Sequence, residues 1–496
     1  MTNPAILLMP TANVARNTTY LTAAYVGQKI LTFVYFIFVA RGVGVADIGK
    51  YVFALSFTTI WSVFIDLGCS PFLTREGAKD TKRLPQLLST VASMKLALSL
   101  VVYAAAIMAV NLLGKEPLVR ELVYISGLIM VLDSFSLTFY AAFRARQELK
   151  YEALGMIIGQ VVIFIFGMTA LLLRWPLPAL IAAILLGSIF NAGYSWWLLR
   201  RHAGIHLTWR WDGVAIKVML FSALPFAVAG IFARLYGYLD AVLLSMLGGD
   251  EQLGWYSAGY KITFALQFLP QAFAAALFPA MAAAYATNRA LLAKPFEKSM
   301  FALLIISVPI AAGVAVLAHQ FIGLMYGPEF APTAFSLQIL IISLPFIFLS
   351  FPVGSLLNAG DKQTVNTINM GVVMAVNAAM NLVLIPLLGP RAYVGAAAAV
   401  LASSVLQLVL GLVWVGKITS YNYWWLISKV IRTLLAALSM IIVILWLLPY
   451  AYFLFLVPVS GAVYVLMLWL LRGVERSELS ELWSAIRGRE SLATEE

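Results

Sequence analysis

Long apolar segments separated by short polar turns dominate the hydrophobic pattern of the chain. A membrane-spanning helix needs about 20 mostly apolar residues. Fourteen segments reach that length, centred near residues 30, 59, 99, 131, 164, 188, 232, 268, 310, 345, 375, 405, 437 and 461. The connections between them are short and leave no room for a separate soluble domain. The pattern therefore predicts an all-α polytopic membrane protein with 14 transmembrane helices.

The composition strengthens this prediction and excludes several kinds of site. The chain is 62% hydrophobic and 11% charged, whereas soluble domains contain roughly 25% charged residues. One cysteine, Cys69, and three histidines, His202, His206 and His319, occur without metal-ligand spacing. Neither disulfides nor a metal site is expected, and no motif calls for a cofactor. The N-terminal stretch lacks the features of a cleaved signal peptide, so we interpret it as an uncleaved cytoplasmic start.

The net charge of +11 follows the predicted topology. In a soluble protein such a charge would suggest binding to nucleic acid. With the N-terminus placed inside, the cytoplasmic loops and tails contain 23 Lys and Arg residues, and the outer loops contain six. Inner loops of membrane proteins carry such an excess of basic residues. The distribution predicts a multi-pass protein of the cytoplasmic membrane with both termini cytoplasmic, and no nucleic-acid partner.

The stretch "GVADIGKY" (44–51) resembles a phosphate-binding loop. It matches G-x-x-x-x-G-K-[ST] except at the last position, where a hydroxyl group should bind the magnesium ion. Tyr51 occupies that position, and its phenol ring cannot replace a short hydroxyl side chain beside the metal. The stretch also lies at a predicted outer turn, away from cytoplasmic nucleotides. We therefore do not interpret it as a nucleotide site.

The same stretch recurs as "GDEQLGWY" (249–256), at a shift of 205 residues. The shared G-x4-G-x-Y pattern predicts a tight outer turn with an interfacial aromatic anchor. The repeat predicts two six-helix lobes related by a pseudo-two-fold axis. Because six is an even number, both lobes have the same orientation in the membrane, so the axis runs along the membrane normal. The predicted organisation is an N-lobe (1–210), a C-lobe (211–421), two further helices (422–472) and a cytoplasmic amphipathic tail (473–496). The tail has apolar residues at the i, i+3, i+4, i+7 spacing of one helix face: Leu479, Leu482, Trp483 and Ile486.

Seven ionisable residues lie within the predicted spans: Lys29, Asp66, Lys95, Asp133, Arg234, Asp240 and Lys261. Each costs about 2.5 to 3.5 kcal/mol at a helix centre, so such residues usually face a cavity or a partner. The repeat shift pairs Lys29 with Arg234, at the same midplane position of the first helix in each half. Two cations facing one central cavity would form a site for an anionic group.

The alternative is that each charge is neutralised by a partner and joins helices. Asp240 and Lys261 lie at similar depth in one predicted hairpin, which favours a pair. Asp66 and Lys95 lie at less closely matched depths on either side of the next inner turn, so they are a second candidate pair. Lys29 has no acid at matching depth in its neighbouring helix, which leaves Asp133 as a candidate partner.

Several stretches together resemble the polysaccharide transporter (Wzx-type) flippases of the multidrug/oligosaccharidyl-lipid/polysaccharide (MOP) exporter superfamily. They include residues 17–57, "FRARQELKYEALG" (143–155), "DAVLLSMLGGDEQLGWYSAGYKI" (240–262), "LFPAMA" (277–282) and "NLVLIPLLGPRAYVGAAAAVLAS" (381–403). The resemblance covers nearly the whole chain. It implies a V-shaped pair of six-helix lobes and alternating access. It also implies translocation of a polyprenyl-diphosphate-linked oligosaccharide, with membrane lipid and glycan-assembly proteins as partners.

The resemblance also implies a role for the intramembrane charges. In related flippases, basic residues on the first helix and at the start of the second lobe line the lumen, which matches Lys29, Arg234 and Lys261. We predict that the central cavity contains Lys29, Arg234, Lys261, Lys95 and Asp133, with Asp240 and Asp66 in structural or coupling charge pairs. A coupling ion, Na+ or H+, is left open.

Two other functions are compatible with a membrane bundle. The first is a drug antiporter of the toxin-extrusion branch, which exports organic cations in exchange for ions. Such a protein needs an unpaired midplane carboxylate, and Asp133 is the residue that could supply it. The second is a membrane polymerase or glycosyltransferase that acts on lipid-linked sugars. Those enzymes generally need a sizeable loop or domain for the acceptor, which the short loops do not provide.

Overall fold

The computed structural model describes residues 11–209, 211–287 and 292–473. These residues are almost entirely helical, which confirms the predicted all-α fold. The first ten residues, predicted to be a cytoplasmic start, lie outside the described residues, as does nearly all of the predicted amphipathic tail, including Leu479, Leu482, Trp483 and Ile486.

Seven helices form the first part of the chain. They are α1 (Thr11–Val43), α2 (Val45–Asp66), α3 (Cys69–Lys79), α4 (Leu84–Leu112), α5 (Pro117–Ala145), α6 (Leu149–Leu172) and α7 (Leu177–Arg201). Proline occupies the first turn of α4, α5 and α7, where its missing N–H is not needed. Leu67 and Gly68 both adopt positive φ, which ends α2 and starts the short helix α3 in a new direction.

Eleven helices follow in the rest of the described chain. They are α8 (Gly213–Leu247), α9 (Asp250–Ala265), α10 (Phe268–Thr287), α11 (Ala293–Val316), α12 (Ala318–Met325), α13 (Thr333–Ile342), α14 (Leu344–Ala359), α15 (Gln363–Leu388), α16 (Ala392–Val415), α17 (Tyr423–Leu447) and α18 (Phe453–Leu470).

Twelve stretches of the described chain are long and apolar enough to cross a membrane, compared with the fourteen predicted. The difference arises at two places. The segment predicted around residue 268 is divided by a turn into α9 and α10, and neither is counted. Helices α15 and α16, joined only by the short 3₁₀ turn Gly389–Arg391, count as one stretch of 53 residues. The membrane-spanning character is confirmed, whereas the number 14 is not.

The chain divides into two compact units. Unit 1 comprises residues 1–268, 325–336 and 367–403, and unit 2 comprises residues 269–324, 337–366 and 404–496. All seven intramembrane charges belong to unit 1. The lobes proposed from the repeat, with their boundary at 210, stay a prediction.

In unit 1, the two copies of the repeated stretch contact each other. A Cβ atom on Gly49 would lie 1.8 Å from the backbone oxygen of Asp250, and one on Gly254 would lie 2.1 Å from that of Val45. Val45 and Asp250 are themselves related by the shift of 205 residues. The contact is therefore reciprocal, as a pseudo-two-fold axis between α2 and α9 produces. Only glycine permits the two helices to approach so closely.

The repeated tyrosines do not have the interfacial position that we expected. Tyr51 is 5% exposed and Tyr256 is 2% exposed, so both rings are packed in the core of unit 1. Each tyrosine is two residues after its glycine and so lies about 200° around the helix from it, on a different face. The recurring pattern therefore marks a helix–helix contact and not a membrane-interface anchor.

In unit 2, α11 packs against α14 and α17, and α17 packs against α18. The buried Lys429 joins these elements: its Nζ donates to the backbone oxygen of Gly473 at 2.9 Å and lies 4.4 Å from the centre of the Phe301 ring. Tyr464 donates to the backbone oxygen of Ile305 at 3.0 Å. These polar contacts between apolar helices stabilise the packing of the last two spans.

Candidate functional site

Two lysines on α1 and α9 lie against aromatic rings of the opposite helix. Lys29 Nζ is 4.1 Å from the centre of the Phe264 ring, and Lys261 Nζ is 5.3 Å from the centre of the Phe36 ring. Lys29 and Phe36 are seven residues apart and share one face of α1, while Lys261 and Phe264 share a face of α9. Each helix thus supplies one cation and one ring to a crossed pair of cation–π contacts.

Neither lysine has a carboxylate partner among the residues that the structure describes. Both are half-buried, and their ammonium groups are close enough to repel each other. A ring face attracts a cation without cancelling its charge. The arrangement therefore concentrates two uncompensated positive charges within the span region of unit 1. This two-lysine site is the strongest candidate for binding an anion.

Arg234 and Asp133 are two further intramembrane charges of unit 1, on α8 and α5. Both side chains are exposed, and neither forms an ion pair with another described residue. Asp133 is therefore not the partner of Lys29, for which the sequence had made it a candidate.

Lys95 and Asp66, which the sequence suggested as a loose pair, are in direct contact. Lys95 is 0% exposed, and its Nζ donates to Asp66 Oδ1 at 2.5 Å and Thr138 Oγ1 at 2.6 Å. Ser70 Oγ and the backbone oxygen of Ser134, both at 3.2 Å, complete its surroundings. The ammonium group has no free direction left for a ligand. This cluster joins α2, α4 and α5.

Asp240 does not pair with Lys261, contrary to the expectation from their depth. It accepts hydrogen bonds from Asn381 Nδ2 at 2.6 Å and from the Tyr256 hydroxyl at 3.2 Å. Tyr256 and Lys261 are five residues apart, which places them about 140° apart around helix α9. Lys261 therefore faces away from Asp240. Asn381 Nδ2 also donates to the backbone oxygen of Asn377 at 2.9 Å.

Sequence reasoning missed these asparagines because it searched the spans for charges only. Asn377 and Asn381 are buried and one helical turn apart, in an otherwise apolar stretch of α15. An asparagine pair at that spacing inside a span is a signal that could have been read. In the described parts of the chain, no group of three His, Cys, Asp or Glu side chains could hold a metal ion.

Lys50, from the motif that resembled a phosphate-binding loop, is engaged by acids. Its Nζ lies 3.1 Å from a carboxylate oxygen of Glu116 and 3.7 Å from one of Asp47. Nearby, Lys115 donates to the Ser245 hydroxyl at 2.7 Å and lies 3.6 Å from Asp250. These lysines connect turns between helices of unit 1, and their contacts with acids leave no cradle for a phosphate.

Comparison with known sequences places the chain in a family. A family model described as polysaccharide biosynthesis protein matches residues 14–285, more than half of the chain. The chain belongs to this family. A second model, described as MatE, matches residues 225–383. The two matches confirm the resemblance to the MOP exporter superfamily. A search of curated protein sequences gives no match.

Solved structures of MOP transporters have the same fold. The lipid II flippase MurJ in an inward closed conformation matches with a TM-score of 0.76 and 16% identity, over 95% of this chain and 99% of that chain. An inward-facing multidrug resistance MATE family transporter matches with a TM-score of 0.65 and 16% identity, over 78% and 93%. A MOP superfamily transporter from Pyrococcus furiosus matches with a TM-score of 0.56 and 14% identity, over 81% and 94%.

Proposed function

We propose that the protein is a flippase that moves a polyprenyl-diphosphate-linked oligosaccharide across the cytoplasmic membrane by alternating access. In this proposal both termini are cytoplasmic and the product serves the assembly of a surface glycan. The observation that carries the proposal is the two-lysine site. Its two cations, held on ring faces and without acids, suit the diphosphate group, which is the part shared by all such carriers.

The physical argument rests on charge in a poorly solvated place. Two unit charges about 4 Å apart interact by about 4 kcal/mol at an effective dielectric constant near 20, compared with about 1 kcal/mol in bulk water. Lys29 and Lys261 repel each other, and a bound diphosphate would remove that repulsion. Their partial burial strengthens the attraction to an anion that enters. The contacts with Phe36 and Phe264 hold both ammonium groups in position before the ligand arrives.

The other charges of unit 1 have different roles in this proposal. In it, Arg234 and Asp133 face the transport path. Lys95 has a structural role, because Asp66 and three further acceptors occupy its ammonium group. Asp240, which the sequence placed in a structural or coupling pair, lies with two asparagines and a tyrosine.

We propose that the coupling ion, Na+ or H+, acts at Asp240. The oxygen Oδ1 of Asn381 is buried without a hydrogen-bond partner among the described residues, and it lies on the side chain that contacts Asp240. Carboxylate and amide oxygens are the donors that a hard cation such as Na+ prefers. Asp240 could equally bind a proton, so transport would be compared across Na+ and pH gradients in the wild type and in Asp240→Asn.

A cation-coupled multidrug antiporter is the second candidate. The exposed carboxylate of Asp133 and the structural similarity to MATE transporters favour it. An organic cation, however, would meet Lys29, Lys261 and Arg234 in the same unit. A membrane glycan polymerase is the third and weakest candidate.

The deciding experiment reconstitutes the purified protein in proteoliposomes with a lipid-linked oligosaccharide or an organic cation. We expect transport of the lipid-linked sugar only, and its loss in the variant Lys29→Gln with Lys261→Gln. Lys79→Gln with Lys82→Gln serves as the matched control, because it removes two exposed positive charges from the same unit without touching the two-lysine site. Transport of the organic cation without the lipid-linked sugar would overturn the proposal in favour of the antiporter.

A further inference from the structure

Helix α1 exposes two different faces within its apolar span, Tyr20–Val43. One face is apolar and includes the exposed Ile30 and Phe38. The other face is polar and includes the exposed Tyr25 and Thr32. Around the helix axis, Ile30 lies about 140° from Tyr25 and about 160° from Thr32. The two exposed faces are therefore on opposite sides of α1.

Lys29 belongs to the polar face of α1. Around the axis it lies about 40° from Tyr25 and about 60° from Thr32, one helical turn from each. Its ammonium contact with the Phe264 ring turns this face towards α9 at that level. An ammonium group within a span avoids lipid and faces a cavity or a partner. The polar face of α1 therefore borders a water-accessible space, whereas the apolar face meets lipid.

The polar face is closed on one side of Lys29 and open on the other. Towards the C-terminal end of α1, Phe36 is buried, and its ring contacts Lys261. Towards the N-terminal end, Tyr25 keeps 41% of its surface exposed. Thr22, on the same face, is half-buried. A ligand held by the two lysines therefore has room to extend past Tyr25 and not past Phe36.

Tyr25 has the chemistry of a sugar-binding residue. Its ring presents an apolar face, and its hydroxyl group forms a polar tip. A pyranose ring likewise has an apolar face of C–H groups with hydroxyl groups around it. Tyr25 is four residues from Lys29, which corresponds to about 6 Å along the helix axis. The first sugar of a polyprenyl-diphosphate-linked oligosaccharide is bonded directly to the diphosphate. When the two lysines hold the diphosphate, that sugar lies beside Tyr25.

We propose that Tyr25 is a sugar-binding residue whose ring stacks on the first sugar of the substrate while Lys29 and Lys261 hold the diphosphate. This inference rests on the proposed flippase function and extends its site along α1. It makes affinity depend on the sugar as well as on the diphosphate. Because stacking uses the face of the ring, the ring of Tyr25 contributes more than its hydroxyl group.

The test compares two probes by titration calorimetry in detergent: a polyprenyl diphosphate without sugar, and the same lipid carrying one neutral hexose. We expect the wild type to bind the sugar-bearing probe about 3- to 10-fold more tightly. Tyr25→Leu, which keeps an apolar side chain without a ring, should bring the two affinities within about twofold of each other. Tyr25→Phe keeps the ring and should retain most of the preference. Ile30→Ala, on the apolar face of α1, is the matched control and should bind like the wild type.

The preference for the sugar-bearing probe separates a binding role from a structural one, because a folding defect changes both affinities alike. Equal wild-type affinities for the two probes would overturn the inference, as would an unchanged preference in Tyr25→Leu. If Tyr25→Leu is not recovered as a monodisperse protein, Tyr25→Met takes its place in the same comparison. A wild type that binds neither probe would instead contradict the proposed function, since the two-lysine site is expected to hold the sugar-free lipid by itself.

Discussion

Unit 1 contains two arrangements of intramembrane lysine that differ in almost every respect. Lys95 is fully buried, contacts Asp66 at 2.5 Å and has three further oxygen acceptors around it. Lys29 and Lys261 are half-buried, lie on the rings of Phe264 and Phe36, and repel each other. The sequence suggested the pair of Lys95 and Asp66 and left Lys29 without an acid at matching depth, but it wrongly paired Lys261 with Asp240.

The comparison teaches how a bilayer cation can be assigned to stability or to binding. A lysine surrounded by acceptors has no remaining capacity for a ligand, and its removal leaves a buried acid without a partner. A lysine on an aromatic face keeps its charge available, and its removal leaves only a ring. Removing a lysine of the first kind should therefore lower the free energy of unfolding, and removing one of the second kind should weaken ligand binding.

The largest effect is expected from Lys95→Met, which leaves Asp66 charged and unpaired. Breaking one partner of a buried pair costs about 3 to 5 kcal/mol. We expect this loss in the free energy of unfolding, measured by denaturant titration of the detergent-purified protein. The double variant Lys95→Met with Asp66→Leu should recover most of it. A stability equal to the wild type in the single variant would show that the cluster is not structural.

A smaller effect is expected where α9, the helix that carries Lys261, packs on α2. Gly254→Ala places a methyl group 2.1 Å from the backbone oxygen of Val45, so the helices must separate. Overpacking of this kind costs about 1 to 3 kcal/mol. The matched control is Gly193→Ala in α7, where a Cβ meets nothing within 4 Å and should stabilise the helix slightly. Equal stabilities of the two variants would contradict the close contact.

The ring beneath Lys29 provides a test of the binding side. Phe264→Leu keeps an apolar side chain but removes the cation–π contact, worth about 0.5 to 2 kcal/mol. We expect roughly 2- to 30-fold weaker binding of a polyprenyl diphosphate and little change in unfolding. Titration calorimetry in detergent measures the affinity. Loss of stability with unchanged affinity would place Phe264 in the structural group.

The smallest effect is expected from an exposed charge cluster on α3. Lys79 Nζ lies 2.9 Å from Glu76 Oε1, and Arg75 Nε lies 3.0 Å from the same oxygen. Both cations, Lys79 more than Arg75, lower the pKa of Glu76 below its ordinary value of 4.5. The resulting stabilisation is present above that value and is lost as the pH falls through the lowered pKa. Because the pair is solvent-exposed, Glu76→Gln should change stability at pH 7 by less than about 1 kcal/mol. A larger change would mean that α3 is anchored through this cluster.

The sequence predicted most of the fold because membrane spans are recorded directly in apolar runs. It also located seven intramembrane charges, since a charge is conspicuous among apolar residues, but it missed the buried Lys429 near the start of α17. The partners were harder to predict, because they depend on the rotation of each helix about its axis. Depth alone suggested an ion pair between Asp240 and Lys261, whereas the position of Lys261 around the axis of α9 points it away from Asp240.

Uncharged partners were missed for a related reason. Asn381 and Tyr256 donate hydrogen bonds to the Asp240 carboxylate. Both are uncharged, so a search for charged residues does not find them. The rings of Phe36 and Phe264 lie in aromatic-rich stretches where any phenylalanine could face lipid. The structure selects these two because they lie opposite the lysines of the neighbouring helix.

The most direct test of the central claim is the affinity of the purified protein for a polyprenyl diphosphate without sugar, measured by titration calorimetry in detergent. The account predicts at least about 100-fold weaker binding in the variant Lys29→Gln with Lys261→Gln, which loses both uncompensated charges but stays folded. The control variant, Lys95→Met with Asp66→Leu, which removes one charge of each sign from another part of unit 1, should bind like the wild type. Wild-type affinity in the first variant, or loss of affinity confined to the second, would contradict the assignment of the two-lysine site.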